Sequence, residues 1–204
     1  MTLNAFRLLA LLPVIALAAC ATLPQPDEQA ASSATPNTAY LEKIAHINRF
    51  AISGRIAILT QAKGFSGGLR WHHYPEGDFL DFYSPLGTQI GSISKNENGV
   101  TLTTSDRHTV EAQDIETLTQ STLGWSLPMH GLPDWVLGRP SSAEAEILKQ
   151  DEQGRILHMR ESGWDIQYPA YMETDEVALP GKVTMKSEKL DLKLVIENWQ
   201  TGGE

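Results

Sequence analysis

The sequence is poor in the side chains on which several protein classes depend. One cysteine among 204 residues excludes an internal disulfide framework and a metal site built from several thiolates. Basic residues are scarce: 16 Lys and Arg stand against 25 Asp and Glu, a net charge of −9. Such a chain has no electrostatic footprint for phosphate backbones or anionic membrane surfaces, so nucleic acid is not an expected partner. The apolar stretch from Leu8 to Ala19 is twelve residues long, short of the ~20 that a helix needs to cross a bilayer. No Gly-x4-Gly-Lys-Ser/Thr nucleotide cradle and no Gly-x-Ser-x-Gly elbow occurs. What remains is ordinary globular composition, 41% apolar and 20% charged, which argues for one domain and against a disordered or fibrous chain.

The solitary thiol has a context. Arg7 precedes the uncharged run, which ends in Leu17-Ala18-Ala19-Cys20; a basic start, a short apolar region and small residues at its end are the marks of a cleaved export signal. The Leu-Ala-Ala-Cys run resembles the lipobox of bacterial lipoproteins, which implies removal of residues 1–19, a diacylglyceryl group on the Cys20 thiol and an acyl group on its freed amine. Ala21, where an Asp would retain such a protein in the inner membrane, implies the outer membrane. Cleavage takes away only Arg7 among the charges and leaves 15 basic against 25 acidic residues, net −10. Attraction to anionic lipid cannot then hold the protein, whereas acyl chains can, at about 0.8 kcal/mol per buried CH₂. No cofactor is expected besides this covalent lipid. Ala21 to Ala39, rich in Ala, Pro, Ser, Thr and Gln, reads as a tether reaching roughly 25 Å as a coil, so the domains are a signal (1–19), a lipidated cysteine with its tether (20–39) and a folded body (40–204).

In the body, Tyr40, Ile44 and Ile47 fall at helical spacing, and the period then changes to two. Phe50, Ile52, Gly54, Ile56 and Ile58 share one face of a strand, with Gly54 where a close approach is easiest. Leu69 and Trp71 mark a second strand, and Leu80 and Phe82 a third across the Tyr74-Pro75-Glu76-Gly77 turn. Further strands are expected over 89–95, 100–104 and 108–112. Asp114 caps a helix ending near Gly124, and a Pro133-initiated turn ends at Gly138. Strands resume at 146–148, 155–160, 164–168, 182–186 and 190–199. Helices do not alternate with strands, so a parallel α/β fold is disfavoured; ten or so short antiparallel strands with helices in the middle predict a mainly β, α+β body, an open or incomplete barrel whose concave face the helices cover.

Two short motifs invite catalytic or metal readings. Gly64-Phe65-Ser66-Gly67-Gly68 has Phe65 where trypsin-like proteases carry Asp, and reads as a flexible glycine-rich hairpin. His72 and His73 are neighbours on a strand and point to opposite faces, which suits strand-end residues better than a metal pair. Arg55, opposite in parity to Ile56, is either solvated or a contact for an acidic partner.

Taken in order, Phe50-x4-Arg55, Trp71, Ser84-Pro85-Leu86-Gly87, Leu123-Gly124-x2-Leu127-Pro128, Leu132-x2-Trp135-x2-Gly138, Gly163-Trp164-x3-Tyr168, Leu179-Pro180 and the closing Trp199 resemble the LolB family over nearly the whole mature body. The resemblance implies an incomplete antiparallel β-barrel with an α-helical lid over an apolar cavity. It implies an outer-membrane receptor, facing the periplasm, that accepts acylated lipoproteins from the periplasmic carrier LolA and inserts them into the inner leaflet without nucleotide. It also gives Leu86, between Pro85 and Gly87, a membrane role at the tip of a projecting loop. On composition alone Leu86 is equally a turn residue packed on its own domain. The inward faces of Ile56, Ile58, Leu69, Trp71, Leu80 and Phe82, with Trp199 at the barrel's end, are the candidate acyl-chain lining, and strand alternation leaves ordinary packed core as their other reading. A monomer is expected and no enzyme; the other classes to be weighed are an assembly scaffold that holds no cargo and a lipid-directed hydrolase. The acidic body would complement a basic rim on the carrier, so cargo handover should slow as ionic strength rises, and a handover rate independent of salt would remove this electrostatic role.

Overall fold

The computed structural model describes residues 37–202; the export signal, Cys20 and residues 20–36 of the tether lie outside the described residues. A short helix, α1 (Ala39–Ile44), opens the body and is followed by strands β1 (Phe50–Leu59), β2 (Gly64–Tyr74), β3 (Gly77–Tyr83), β4 (Gln89–Asn96), β5 (Gly99–Thr104) and β6 (Thr109–Ala112). Helices α2 (Ile115–Leu123) and α3 (Leu132–Val136) come next, then β7 (Glu146–Gln150), β8 (Ile156–Glu161), β9 (Trp164–Met172), β10 (Leu179–Lys186) and β11 (Asp191–Thr201). The body starts earlier than composition suggested. Asn37 exchanges hydrogen bonds with the Gln150 side chain, its N–H donating to Oε1 at 3.0 Å and its carbonyl accepting from Nε2 at 3.0 Å, so Asn37, Thr38 and Ala39 belong to the fold.

All eleven strands form one antiparallel sheet in the order β6-β5-β4-β3-β2-β1-β11-β10-β9-β8-β7. Each half is a meander, and the halves join where the first strand pairs with the last. A flat sheet of this size would be roughly 48 Å wide at ~4.8 Å per strand step, yet inward residues of both halves and of the helices pack into one hydrophobic core. The sheet must therefore curl. The edges β6 and β7 stay unpaired with each other, which gives an incomplete barrel, and the chain between them is the helical segment. By connectivity that segment lies across the open side, where Ile115, Leu118, Leu127, Leu132, Trp135, Val136 and Leu137 are buried in the common core.

The β1–β11 seam carries a bulge. Ser53 pairs with Asn198 and Gly54 with Ile196, so Glu197 is the extra residue, and a Cβ on Gly54 would stand 2.0 Å from the Val195 carbonyl oxygen. Only glycine admits that approach. The bulge also shifts the parity of β11: Leu192, Leu194 and Ile196 face the core before it, and Trp199, opposite Ile52, does so after it. There Trp199 packs on Phe50 with ring centroids 5.5 Å apart and donates its indole N–H to the Pro180 carbonyl at 2.9 Å.

Two buried carboxylates tie the indoles of Trp71 and Trp135 into the fold. Asp78 accepts from Trp71 Nε1 at 2.9 Å and lies 2.7 Å from His73 Nδ1. Glu161, only 3% exposed, accepts from Trp135 Nε1 at 2.7 Å, Ser141 N at 3.0 Å and Ser141 Oγ at 2.7 Å. Tyr168 adds a hydrogen bond from its hydroxyl to the Trp135 carbonyl at 2.8 Å. The helical segment is thus pinned to β8 and β9 at α3. Burial alone would raise the Glu161 carboxyl, but the hydrogen bonds from Ser141, Ser142 and Trp135 together outweigh it and hold the group below the ordinary glutamate range.

Two stability predictions follow from these contacts. Gly54→Ala should lower the urea midpoint by the equivalent of about 1–3 kcal/mol, the cost of forcing a methyl into a filled site. Glu161 is more acidic folded than unfolded, so its contribution is complete above about pH 4.3 and is lost as pH falls through its folded value. Urea titrations at several pH values should therefore show a shallower acid loss in Glu161→Gln than in the parent, and equal slopes would contradict this assignment.

Candidate functional site

Antiparallel pairing sorts the turns into two ends. The turns β1–β2 (60–63), β3–β4 (84–88), β5–β6 (105–108), β8–β9 (162–163) and β10–β11 (187–190) share one end, here called the mouth. At the mouth, Ser84-Pro85-Leu86-Gly87-Thr88 closes a hairpin. Gly87 N–H donates to the Ser84 carbonyl at 2.9 Å and Ser84 N–H to the Thr88 carbonyl at 2.8 Å. Pro85 presets the first turn position, and Gly87 takes the left-handed φ of 85° that ends a three-residue hairpin loop. Leu86 between them is 95% exposed. It packs on nothing of its own domain, which sets aside the reading of a buried turn leucine. Leu59 and Ile90, at the mouth ends of β1 and β4, are exposed large apolar residues too.

Behind this rim lies an apolar cavity of about 250 Å³ lined by Ile58, Phe65, Phe82, Ile90, Gly91, Ile93, Leu102 and Trp125, with Lys63, Gly64 and Thr104 completing the wall. It arises because β1 to β5 turn their alternate side chains inward. Ile58 faces Phe65, Leu80 faces Ile93, and Ile93 faces Leu102 across the ladder. A wider cleft of about 930 Å³ opens beside it, between the helical segment and the turns at 60–62, 162 and 187–190. Trp125, in the connection after α2, is the residue common to both linings.

Of the seven residues expected at the lining, Ile58 and Phe82 stand in the cavity wall. Ile56, Leu69, Trp71 and Leu80 are buried in the packed core and do not line the cavity, although Leu69 and Leu80 pair directly with the wall residues Phe82 and Ile93. Trp199 lies at the other end, beside a polar groove of about 700 Å³ that includes Arg49, Glu173 and Glu176. Phe65, Ile93 and Leu102 were missed, although the period-two spacing of Gly91 with Ile93 and Val100 with Leu102 pointed inward. Trp125 had no periodic signal, being outside helix and strand.

The remaining motifs resolve simply. Gly64 to Gly68 are laddered in β2 against β1 rather than forming a flexible hairpin, because close neighbours on β3 favour small residues there: a Cβ on Gly67 would stand 2.1 Å from the Tyr83 carbonyl oxygen. His73 pairs with Asp78, and no serine or cysteine completes that dyad among the described residues. No group of three metal-ligating side chains occurs among them either. Arg55 forms an exposed pair with Glu197 at 3.0 Å, worth little in water.

Comparison with known proteins places this architecture. Residues 48–199 match the family described as outer membrane lipoprotein LolB. An outer-membrane lipoprotein LolB from Nitrosococcus oceani is 34% identical over 196 residues, covering 94% of this chain and 96% of the relative. Its counterpart in Aeromonas hydrophila is 32% identical, with 95% of each chain covered. Among solved structures, a LolA superfamily protein from Nitrosomonas europaea superposes with a TM-score of 0.50 at 8% identity, over 84% of this chain and 96% of that one; at that identity the likeness speaks for the fold. The mouth, the cavity and the lidded, unclosed sheet are thus those of a chain that belongs to the LolB family of outer-membrane lipoproteins.

Proposed function

We propose that the chain receives acylated lipoproteins from a LolA-like periplasmic carrier and passes their acyl chains into the inner leaflet of the outer membrane, with lipid on Cys20 as its own anchor. The observation that carries this reading is a coincidence of position: the apolar cavity and the exposed Leu86 tip share one end of the sheet. An acyl chain of about 16 carbons costs on the order of 12 kcal/mol to expose to water, so a route between two sheltered sites has to bring the donor or acceptor to the cavity mouth. The mouth offers shelter on one side and a wedge on the other. Inserting one leucine into lipid contributes roughly 1.5–3 kcal/mol, too little to anchor the body and enough to bias its orientation at the moment of release. No nucleotide step is required if affinity falls from carrier to receptor to bilayer.

The experiment is transfer of a labelled lipoprotein from purified carrier to the lipidated protein and on to liposomes, without nucleotide. Capture followed by release is expected. A scaffold would capture nothing, and a hydrolase would return cleaved lipid. Leu86→Glu should keep the parent circular dichroism and capture, since the side chain touches no neighbour, while release into liposomes slows by about tenfold or more. Release at the parental rate would remove Leu86 from the mechanism.

A further inference from the structure

Among the described residues, Trp125 is the one that lines both the cavity and the cleft, and its side chain is held differently from those of the other tryptophans. Trp71, Trp135 and Trp199 each donate their N–H to a fixed acceptor, at 2.9, 2.7 and 2.9 Å, and Trp164 packs against Trp135 with centroids 6.0 Å apart. Trp125 is buried, 9% exposed, yet among the described residues no hydrogen bond or ring contact holds its side chain. Its backbone is the opposite case. Gly124 caps α2 through Thr119 and Gln120 carbonyls at 3.2 and 3.1 Å, and Leu127 N–H donates to the Oγ1 of the fully buried Thr119 at 3.0 Å. The chain is clamped on both sides of Trp125, and the ring is retained by apolar contact alone.

Size makes the position consequential. The cavity, about 250 Å³, falls just short of the roughly 300–1,000 Å³ of pockets that enclose small ligands; the cleft beyond, about 930 Å³, reaches the top of that range. The cleft floor, with Trp135, Trp164 and Leu190, is apolar, and its margin, with Gln61, Glu116 and His130, is polar. A cargo cysteine bearing a diacylglyceryl and an N-acyl group has more chain than the inner cavity can hold. Resting on the receptor function proposed above, we infer that Trp125 is a side-chain gate: rotation of its indole, with the helical segment left in place, joins cavity and cleft into one groove and sets how long an acyl chain the protein accepts.

The test uses the full mature chain with Cys20→Ala, so that no attached lipid competes, and stopped-flow binding of a fluorescent acyl series from about 8 to about 16 carbons. With Trp125 present, association should slow as chains outgrow the inner cavity. Trp125→Ala should speed the longest chains by about tenfold or more, the effect of removing little over 1 kcal/mol of barrier, and leave the shortest within about twofold. Trp125→Phe should fall between them, and it decides the matter if the alanine variant fails to fold. The emission lost on Trp125→Phe, taken as the difference between the two proteins, should shift red when long chains bind and stay fixed with short ones. A change equal at every length, or none, overturns the gate while leaving the receptor reading intact. Binding of no acyl chain by the parent at any length overturns the receptor reading and the gate with it.

Discussion

The pairing of the first strand with the last is the constraint from which the other features descend. Phe50 meets Thr201 and Leu59 meets Asp191, contacts that span almost the whole body and carry the highest loop-closure cost in the fold. That seam puts β1 and β11 at the centre of the sheet and sends β6 and β7 to its edges. Because those edges are consecutive strands in sequence apart from the helical insertion, the connection has to travel from one edge to the other. The lid is thus a topological requirement as much as a packing solution, and its anchorage at Trp135 and Glu161 fixes the side nearer β8 and β9.

The edges themselves are short, four and five residues, and carry charge: Glu111 on β6, Glu146 and Lys149 on β7. Brevity and charge protect exposed strands from pairing with other chains. An unclosed barrel keeps its interior accessible without requiring that a ladder be broken. The covered opening can change by movement of side chains and helices, where a sealed barrel would have to lose backbone hydrogen bonds.

Much of this was legible in the sequence because period-two alternation survives in almost every strand. Ile56 and Ile58, Leu69 and Trp71, Leu80 and Phe82 all turned out to face inward, and Gly54 marked the bulge. What alternation does not carry is depth along a strand. Trp71 and Phe82 share a face, yet one is sealed in core beside Asp78 and the other lines a hollow. Depth depends on where neighbouring strands end, a property of register across five chain segments. Trp125 was illegible for a different reason: it belongs to a connection, where position is decided by the cap at Gly124 and the Thr119 hydroxyl rather than by any repeat. Thr119, a fully buried polar residue in a helix, is explained only once its bonds to Ile115 and Leu127 are seen.

The docking of Asn37 against Gln150 and of Tyr40 against Ala178 places the start of the body at the end remote from the mouth, beside the β7–β8 and β9–β10 turns. The ten residues of β1 separate the two ends by roughly 33 Å. Between Cys20 and Asn37 lie sixteen residues, whose covalent limit is roughly 55 Å. On the attachment through Cys20 proposed above, that limit exceeds the length of the body, and the attachment enters at the pole remote from the mouth. An attachment of that reach would let the same opening face a soluble donor and, after a pivot, the bilayer.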